Sequence, residues 1–230
     1  EVRAGVAIGA AMCVGYSLMT YGLQSIQASK SAFLTALYVP LVPLLQWVLV
    51  RKSPHPMAWL GIALAFVGLV LVSGPDAVEL GALGAGETAT ILGAVAIALE
   101  ILLIGRYAGQ VNAQRVTAIQ LLAAGVFAFL AMPLAQESIP AFSWVWCLSA
   151  VGLGMVSALI QLTMNWAQKS VSATKATLIY ATEPVWAGIV GRVAGERLPG
   201  AALLGAAFIV GGVIASEWRP RWFRPRGAGP

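Results

Sequence analysis

Eight apolar runs, each about as long as the 20 or so residues that a helix needs to cross a bilayer, fill most of this 230-residue chain. They are Ala4–Gln24, Ser31–Val50, Pro56–Val72, Thr88–Ile104, Val116–Ala135, Phe142–Trp166, Ala176–Ala194 and Pro199–Ser216. Six contain no charge; the fourth holds Glu100, and the seventh holds Glu183 and Arg192. In lipid every backbone amide must be satisfied within the protein, so runs of this length are restricted to helices. The expected fold is therefore an all-α polytopic membrane protein of eight transmembrane helices. Composition agrees. Hydrophobic residues make up 59% of the chain and charged residues 10%, against about 25% charged in a soluble domain.

The loops between the runs are short, and their charges sort by side. One side receives Arg3, Arg51, Lys52, Arg106, Arg115, Lys169, Lys175, Arg219, Arg221, Arg224 and Arg226, eleven of the fourteen basic residues. The other receives Lys30, Arg192 and Arg197 with Asp76, Glu79, Glu87, Glu137 and Glu196. The positive-inside rule makes the first side cytoplasmic and puts both chain ends there, in the cell membrane. The net charge of +5 thus reports topology, and no basic stripe points to nucleic acid. The tail "EWRPRWFRPRGAGP" mixes aromatic and arginine residues as an anionic lipid surface requires. Cys13 and Cys147 sit singly in apolar runs and fit neither a disulfide framework nor a metal site.

The chain also says one thing twice. "SIQASKSAFL" (25–34) and "SVSATKATLI" (170–179) match at an offset of 145 residues. With one-residue gaps, runs one to three align with runs six to eight, so that Gly61 meets Gly205 and Gly68 meets Gly212. Equivalent runs are five apart, an odd number, and the second copy must cross the membrane the opposite way. This is an inverted-topology repeat, the architecture of many secondary transporters. Residues 4–75 are expected to superpose on 145–217 about an axis in the membrane plane. Pro40 and Pro43 interrupt the second run and Pro184 the seventh at matching depth. The carbonyls of Ala36, Val39 and Tyr180 thereby lose their helical donors.

Polar residues gather near these kinks. Glu183 precedes Pro184, and a carboxylate at this depth costs about 2.5–3.5 kcal/mol on the insertion scale. It reads as a proton carrier, as a contact for a cationic group, or as protonated helix glue. Glu100 is a second candidate for proton coupling, or a side chain reaching interfacial water. Ser17, Tyr21 and Gln24 share one helix face, as do Gln161, Asn165 and Gln168, and the two stripes align at an offset of 144. They read as two walls of one cavity or as interhelical contacts. Tyr38, Tyr180 and Trp186 add aromatic surface. The expected substrate site comprises Ser17, Tyr21, Tyr38, Gln161, Asn165, Tyr180, Glu183 and Trp186. Small residues spaced by four, including Gly61 with Ala65 and Ala207 with Gly211, permit close helix packing.

"YGLQSIQASKSAFLTALYVPLVPLL" and "WAQKSVSATKATLIYATEPVWAGIVGRVAGERLPGAALLGAAFIVGGVI" resemble the EamA-type transporters of the drug/metabolite transporter superfamily, as does "ILGAVAIALEILLIGRYAG". The resemblance runs from Arg3 to Glu217. It implies a ten-span fold in two five-span halves around a central cavity, a small-molecule substrate and a lipid partner. Matched onto that fold, the chain starts at the third span and lacks the first two. Residues 1–80 would be an incomplete first repeat of three helices, 81–218 a second repeat of five, and 219–230 a basic cytoplasmic tail. Where the second repeat has Glu183-Pro184, the first has Tyr38-Val39-Pro40.

Two functions are expected to compete. The first is a secondary transporter of small metabolites, such as amino acids or drugs, working by alternating access. The second is a non-transporting membrane protein or truncated product that serves as a helix-assembly partner. An enzyme is not expected: the sole histidine, His55, lies in a loop, and no HExxH or Ser–His arrangement is present. No filter loop or ring of like charge suggests a channel. No cofactor or metal is implied, and a homodimer is left open.

Overall fold

The computed structural model describes residues 1–51, 55–73, 84–133, 142–193 and 200–217. Ten helices are present among the described residues, and no strand: α1 (Val2–Leu23), α2 (Ala28–Thr35), α3 (Tyr38–Val50), α4 (Pro56–Ser73), α5 (Ala85–Tyr107), α6 (Ala113–Ala131), α7 (Trp144–Ala167), α8 (Ala173–Tyr180), α9 (Glu183–Val193) and α10 (Gly200–Glu217). Each expected run is helical, and runs two and seven are each split into two short helices. The runs Val2–Leu23, Lys30–Leu49, Ala85–Tyr107, Ala113–Ala131 and Trp144–Ala167 are long and apolar enough to cross a membrane. Pro56–Val72 and Gly200–Ser216 are shorter apolar helices. The tail at 219–230, the charges Asp76, Glu79, Glu137, Glu196 and Arg197, and the side chains of Pro184 and Arg192 lie outside the described residues.

The helices pack as two units. The first contains α1, α5, α6 and α7. Here α1 lies against α5 and α6, and glycines set the approach. A Cβ on Gly9 would fall 2.5 Å from the Gln120 carbonyl oxygen of α6. Ala4 and Ile8 of α1 meet Ile104 of α5 and Val116 of α6 in a buried cluster. Asn112 starts α6, its Oδ1 accepting from the backbone N–H groups of Gln114 (3.0 Å) and Arg115 (3.2 Å). This satisfies two of the four donors that a helix start leaves open. Many apolar residues of α7 are exposed, among them Leu148, Leu153 and Met155.

The second unit contains α2, α3, α4, α9 and α10 with all but the first residue of α8. Its tightest contact joins α4 and α10 through four glycines. A Cβ on Gly61 would sit 2.5 Å from the Gly212 carbonyl oxygen, and one on Gly212 equally close to that of Gly61. Gly68 and Gly205 make the same reciprocal contact at 2.5 and 2.6 Å. The 144-residue offset carries Gly61 to Gly205 and Gly212 back to Gly68, so it turns one contact into the other. The small-residue reading of α10 needs a correction of one position. Gly212 faces α4, whereas nothing lies within 4 Å of the place where a Gly211 Cβ would stand.

Candidate functional site

Two places concentrate polar or irregular structure, one in each packing unit. The first is a side-chain network among α5, α6 and α7. Glu100 is 2% exposed on α5, Gln120 is fully buried on α6, and Gln161 and Asn165 are buried on α7. Gln161 Nε2 donates to Glu100 Oε1 at 2.9 Å, and Gln120 Nε2 donates to Gln161 Oε1 at 2.8 Å. Asn165 Nδ2 reaches Gln120 Oε1 at 2.8 Å, Thr117 Oγ1 at 3.1 Å and the Gln161 carbonyl at 3.0 Å. Thr117 Oγ1 passes its own proton to the Ala113 carbonyl at 2.7 Å. Gln161 and Asn165 lie one turn apart, so one face of α7 presents both amides. Burial in an apolar bundle makes each of these bonds costly to lose.

The second place is the pair of helix breaks in the other unit. The chain leaves helical geometry at Ala36–Leu37 between α2 and α3, and at Ala181–Thr182 between α8 and α9. Adding 145 to both boundaries of α2 gives both boundaries of α8. The same step carries the first residue of α3, Tyr38, onto the first residue of α9, Glu183. Both breaks share one apolar core: Val39, Leu178 and Ala181 pack with Ile62, Ala65, Leu69 and Ile209, and Ala36, Tyr38 and Val185 lie against them. Pro40 stands in the first turn of α3 and Pro184 in the first turn of α9, where a missing N–H costs nothing. Pro43 lies within α3.

The interrupted carbonyls are partly re-satisfied. The Ala36 carbonyl, expected to lose its donor, accepts from Val39 N at 3.0 Å through a tighter turn. Thr182 Oγ1 donates to the Ile179 carbonyl at 2.6 Å. Thr174 Oγ1 donates to Gln46 Oε1 at 2.7 Å, tying α8 to α3.

The structure brings Gln161, Asn165 and Glu100 together, and adds Gln120 and Thr117, which the sequence reading passed over. Their only signal was a polar pair three residues apart in an otherwise apolar run. Glu100 does not reach interfacial water; it is buried. Ser17 and Tyr21 are exposed on α1, in the first unit, so the two polar stripes stand in different surroundings. Tyr38 and Tyr180 are half-buried beside the breaks, and Glu183 and Trp186 are exposed on α9. Glu183 opens its helix, where a carboxylate is favoured by the backbone dipoles. Among the described residues, no group of three or more His, Cys, Asp or Glu side chains is placed to hold a metal.

Apolar helices, a buried polar network and paired helix breaks together define a polytopic membrane protein with the features of a transporter. Residues 3–74 and 84–217 match the EamA-like transporter family, and the chain belongs to that family. An uncharacterized transporter from Archaeoglobus fulgidus is 26% identical over 224 residues, spanning 95% of this chain and 70% of the relative. A solved crystal structure of a protein superposes with a TM-score of 0.76 at 21% identity, covering 94% of this chain and 76% of the other. At that identity the likeness is one of fold. The chain is accordingly a multi-pass membrane transporter with a small-molecule substrate and a lipid surround.

Proposed function

We propose that this protein is a secondary transporter of small polar or amphipathic metabolites that works by alternating access through an inverted repeat. The observation that carries this reading is the coincidence of the two helix breaks, residue for residue, at an offset of 145. Discontinuous helices in corresponding positions of two repeats are the usual place for a transporter's substrate, because unwound backbone offers hydrogen bonds that a regular helix has already used. The reciprocal glycine contacts of α4 and α10 support the same symmetry, since the repeat exchanges them. In this reading α2 with α3, and α8 with α9, each form one interrupted crossing, which gives eight crossings in all. Both chain ends lie in the cytoplasm and the protein resides in the cell membrane.

Substrate contacts fall to Tyr38, Tyr180, Glu183 and Trp186 at the breaks. Gln161 and Asn165 have a different task, because their amides are engaged with Glu100, Gln120 and Thr117. The test is counterflow of radiolabelled amino acids and related amphipathic metabolites into liposomes containing the purified protein. At least one class is expected to exchange, and Tyr180→Ala or Glu183→Ala is expected to reduce that exchange tenfold or more, about 1.4 kcal/mol of lost binding. A folded, reconstituted protein that moves none of them would favour a non-transporting assembly partner instead.

A further inference from the structure

Among the described residues Glu100 is the one ionisable side chain that is buried. The groups around it are uncharged on every neighbouring helix. The buried residues of α1 are Ala4, Gly5, Ile8, Gly9, Gly15 and Gly22; α6 contributes Thr117 and Gln120, and α7 contributes Gln161 and Asn165. Arg3, Tyr16 and Tyr21 on α1, Arg106 on α5 and Arg115 on α6 are exposed. Cys13 on α1, Tyr107 on α5 and Cys147 on α7 are half-buried. Among the described residues no cation stands by to fix Glu100 in its ionised form.

The amides have a common direction. Asn165 donates to Gln120, Gln120 to Gln161, and Gln161 to Glu100 Oε1, so each NH2 group points along the chain toward the carboxylate. A carboxylate can only accept, whereas a protonated carboxyl also donates. Half a turn of each amide exchanges its oxygen and nitrogen at almost unchanged heavy-atom positions. The chain can therefore run the other way: Glu100 O–H to Gln161 Oε1, Gln161 Nε2 to Gln120 Oε1, and Gln120 Nε2 to Asn165 Oδ1. Thr117 ends the chain as a rotor, its hydroxyl turning from the Ala113 carbonyl to Asn165 Oδ1. Each side-chain link keeps one donor and one acceptor in both directions, and the Asn165 bond to the Gln161 carbonyl (3.0 Å) is the one given up on reversal.

We propose that Glu100 is the site at which this transporter binds and releases a proton, and that the Gln161–Gln120–Asn165 chain reverses its hydrogen-bond direction each time. The ligand is a proton rather than a larger cation because the site has no room. Its members are at most 2% exposed and stand 2.8–2.9 Å apart. The step is a single protonation: carboxylate and proton give the acid, no electrons move, and water is source and sink. One group on α5 thereby sets the hydrogen bonds made by α6 and α7. As the coupling site, Glu100 rests on the transporter reading above; as a proton site, it does not.

The experiment is infrared difference spectroscopy of the purified protein in phosphatidylethanolamine–phosphatidylglycerol liposomes, cycled between acidic and alkaline buffer, with transport measured on the same vesicles. Wild type should show a reversible carboxylic-acid carbonyl band together with side-chain amide bands. Glu100→Gln should lose both, and Glu100→Asp should keep the acid band at a shifted frequency; if Glu100→Gln fails to fold, that shift makes the assignment. Gln161→Leu should retain the acid band and lose the amide bands. In transport, Glu100→Gln should keep counterflow and lose accumulation driven by a pH gradient. An acid band that survives in Glu100→Gln, or that never cycles in wild type, overturns the proton site, as does amide bands' indifference to Gln161→Leu. Cycling bands without transport of any substrate uphold the proton site and remove the transporter reading; transport without cycling bands does the reverse.

Discussion

Gln161 connects the buried carboxylate to the other amides, and its loss is expected to be felt more than that of any other residue in the network. Gln161→Leu removes the hydrogen-bond partner of both Glu100 Oε1 and Gln120 Nε2. An unsatisfied buried group costs about 1–3 kcal/mol, more when it is charged. Thr117→Val removes only one of three acceptors of Asn165 Nδ2, and single interhelical hydrogen bonds in membranes average about 0.6 kcal/mol. Denaturant titration in detergent micelles should rank Gln161→Leu well above Thr117→Val. Equal costs would mean that the amides do not act as a chain.

Helix packing in lipid has no hydrophobic drive, so it depends on close backbone approach. That makes α4 and α10 a sensitive pair. Gly212→Ala would place a methyl 2.5 Å from the Gly61 carbonyl and 2.9 Å from Ala65 N, both backbone atoms that cannot turn aside. Such overpacking costs about 1–3 kcal/mol. Gly211→Ala, one residue earlier and facing open space, should be neutral or stabilising by up to about 1 kcal/mol from helix propensity. Thermal unfolding of the two variants side by side is the measurement. A harmless Gly212→Ala would show that α4 and α10 do not pack as described.

The charge distribution bears on the molecule as a whole. In the proposed topology of eight crossings, eleven of the fourteen basic residues fall on one side, and the proposal that this side is cytoplasmic rests on that bias. A reporter fused after Pro230 should be active only where cytoplasmic location is required, and one inserted between residues 134 and 141 only where the opposite is required. The reverse pattern would invert the topology while leaving the helices unchanged. The two packing units also matter at this scale. Each draws helices from both of the halves suggested by the repeat, so the units cut across those halves and no unit is one repeat alone.

The apolar runs dictated that this chain be helical, because lipid offers a backbone no other partner than itself. The repeat in "SIQASKSAFL" and "SVSATKATLI" likewise announced that runs two and seven would behave alike, and proline marked where they would break. The expected positions were close: Pro40 and Pro184 follow the breaks by a few residues, since proline is tolerated in a first turn and costs a backbone hydrogen bond further in, as at Pro43. The pairing of side chains was another matter. Sequence reported that Glu100, Gln161 and Asn165 were expensive in hydrocarbon, but cost alone does not say which partner relieves it. Gln120 and Thr117 became partners only because α6 packs beside α7 at a particular rotation. Likewise, the face of α10 that meets α4 carries Gly212 rather than Gly211, a choice one residue wide that helical phase decides and composition does not.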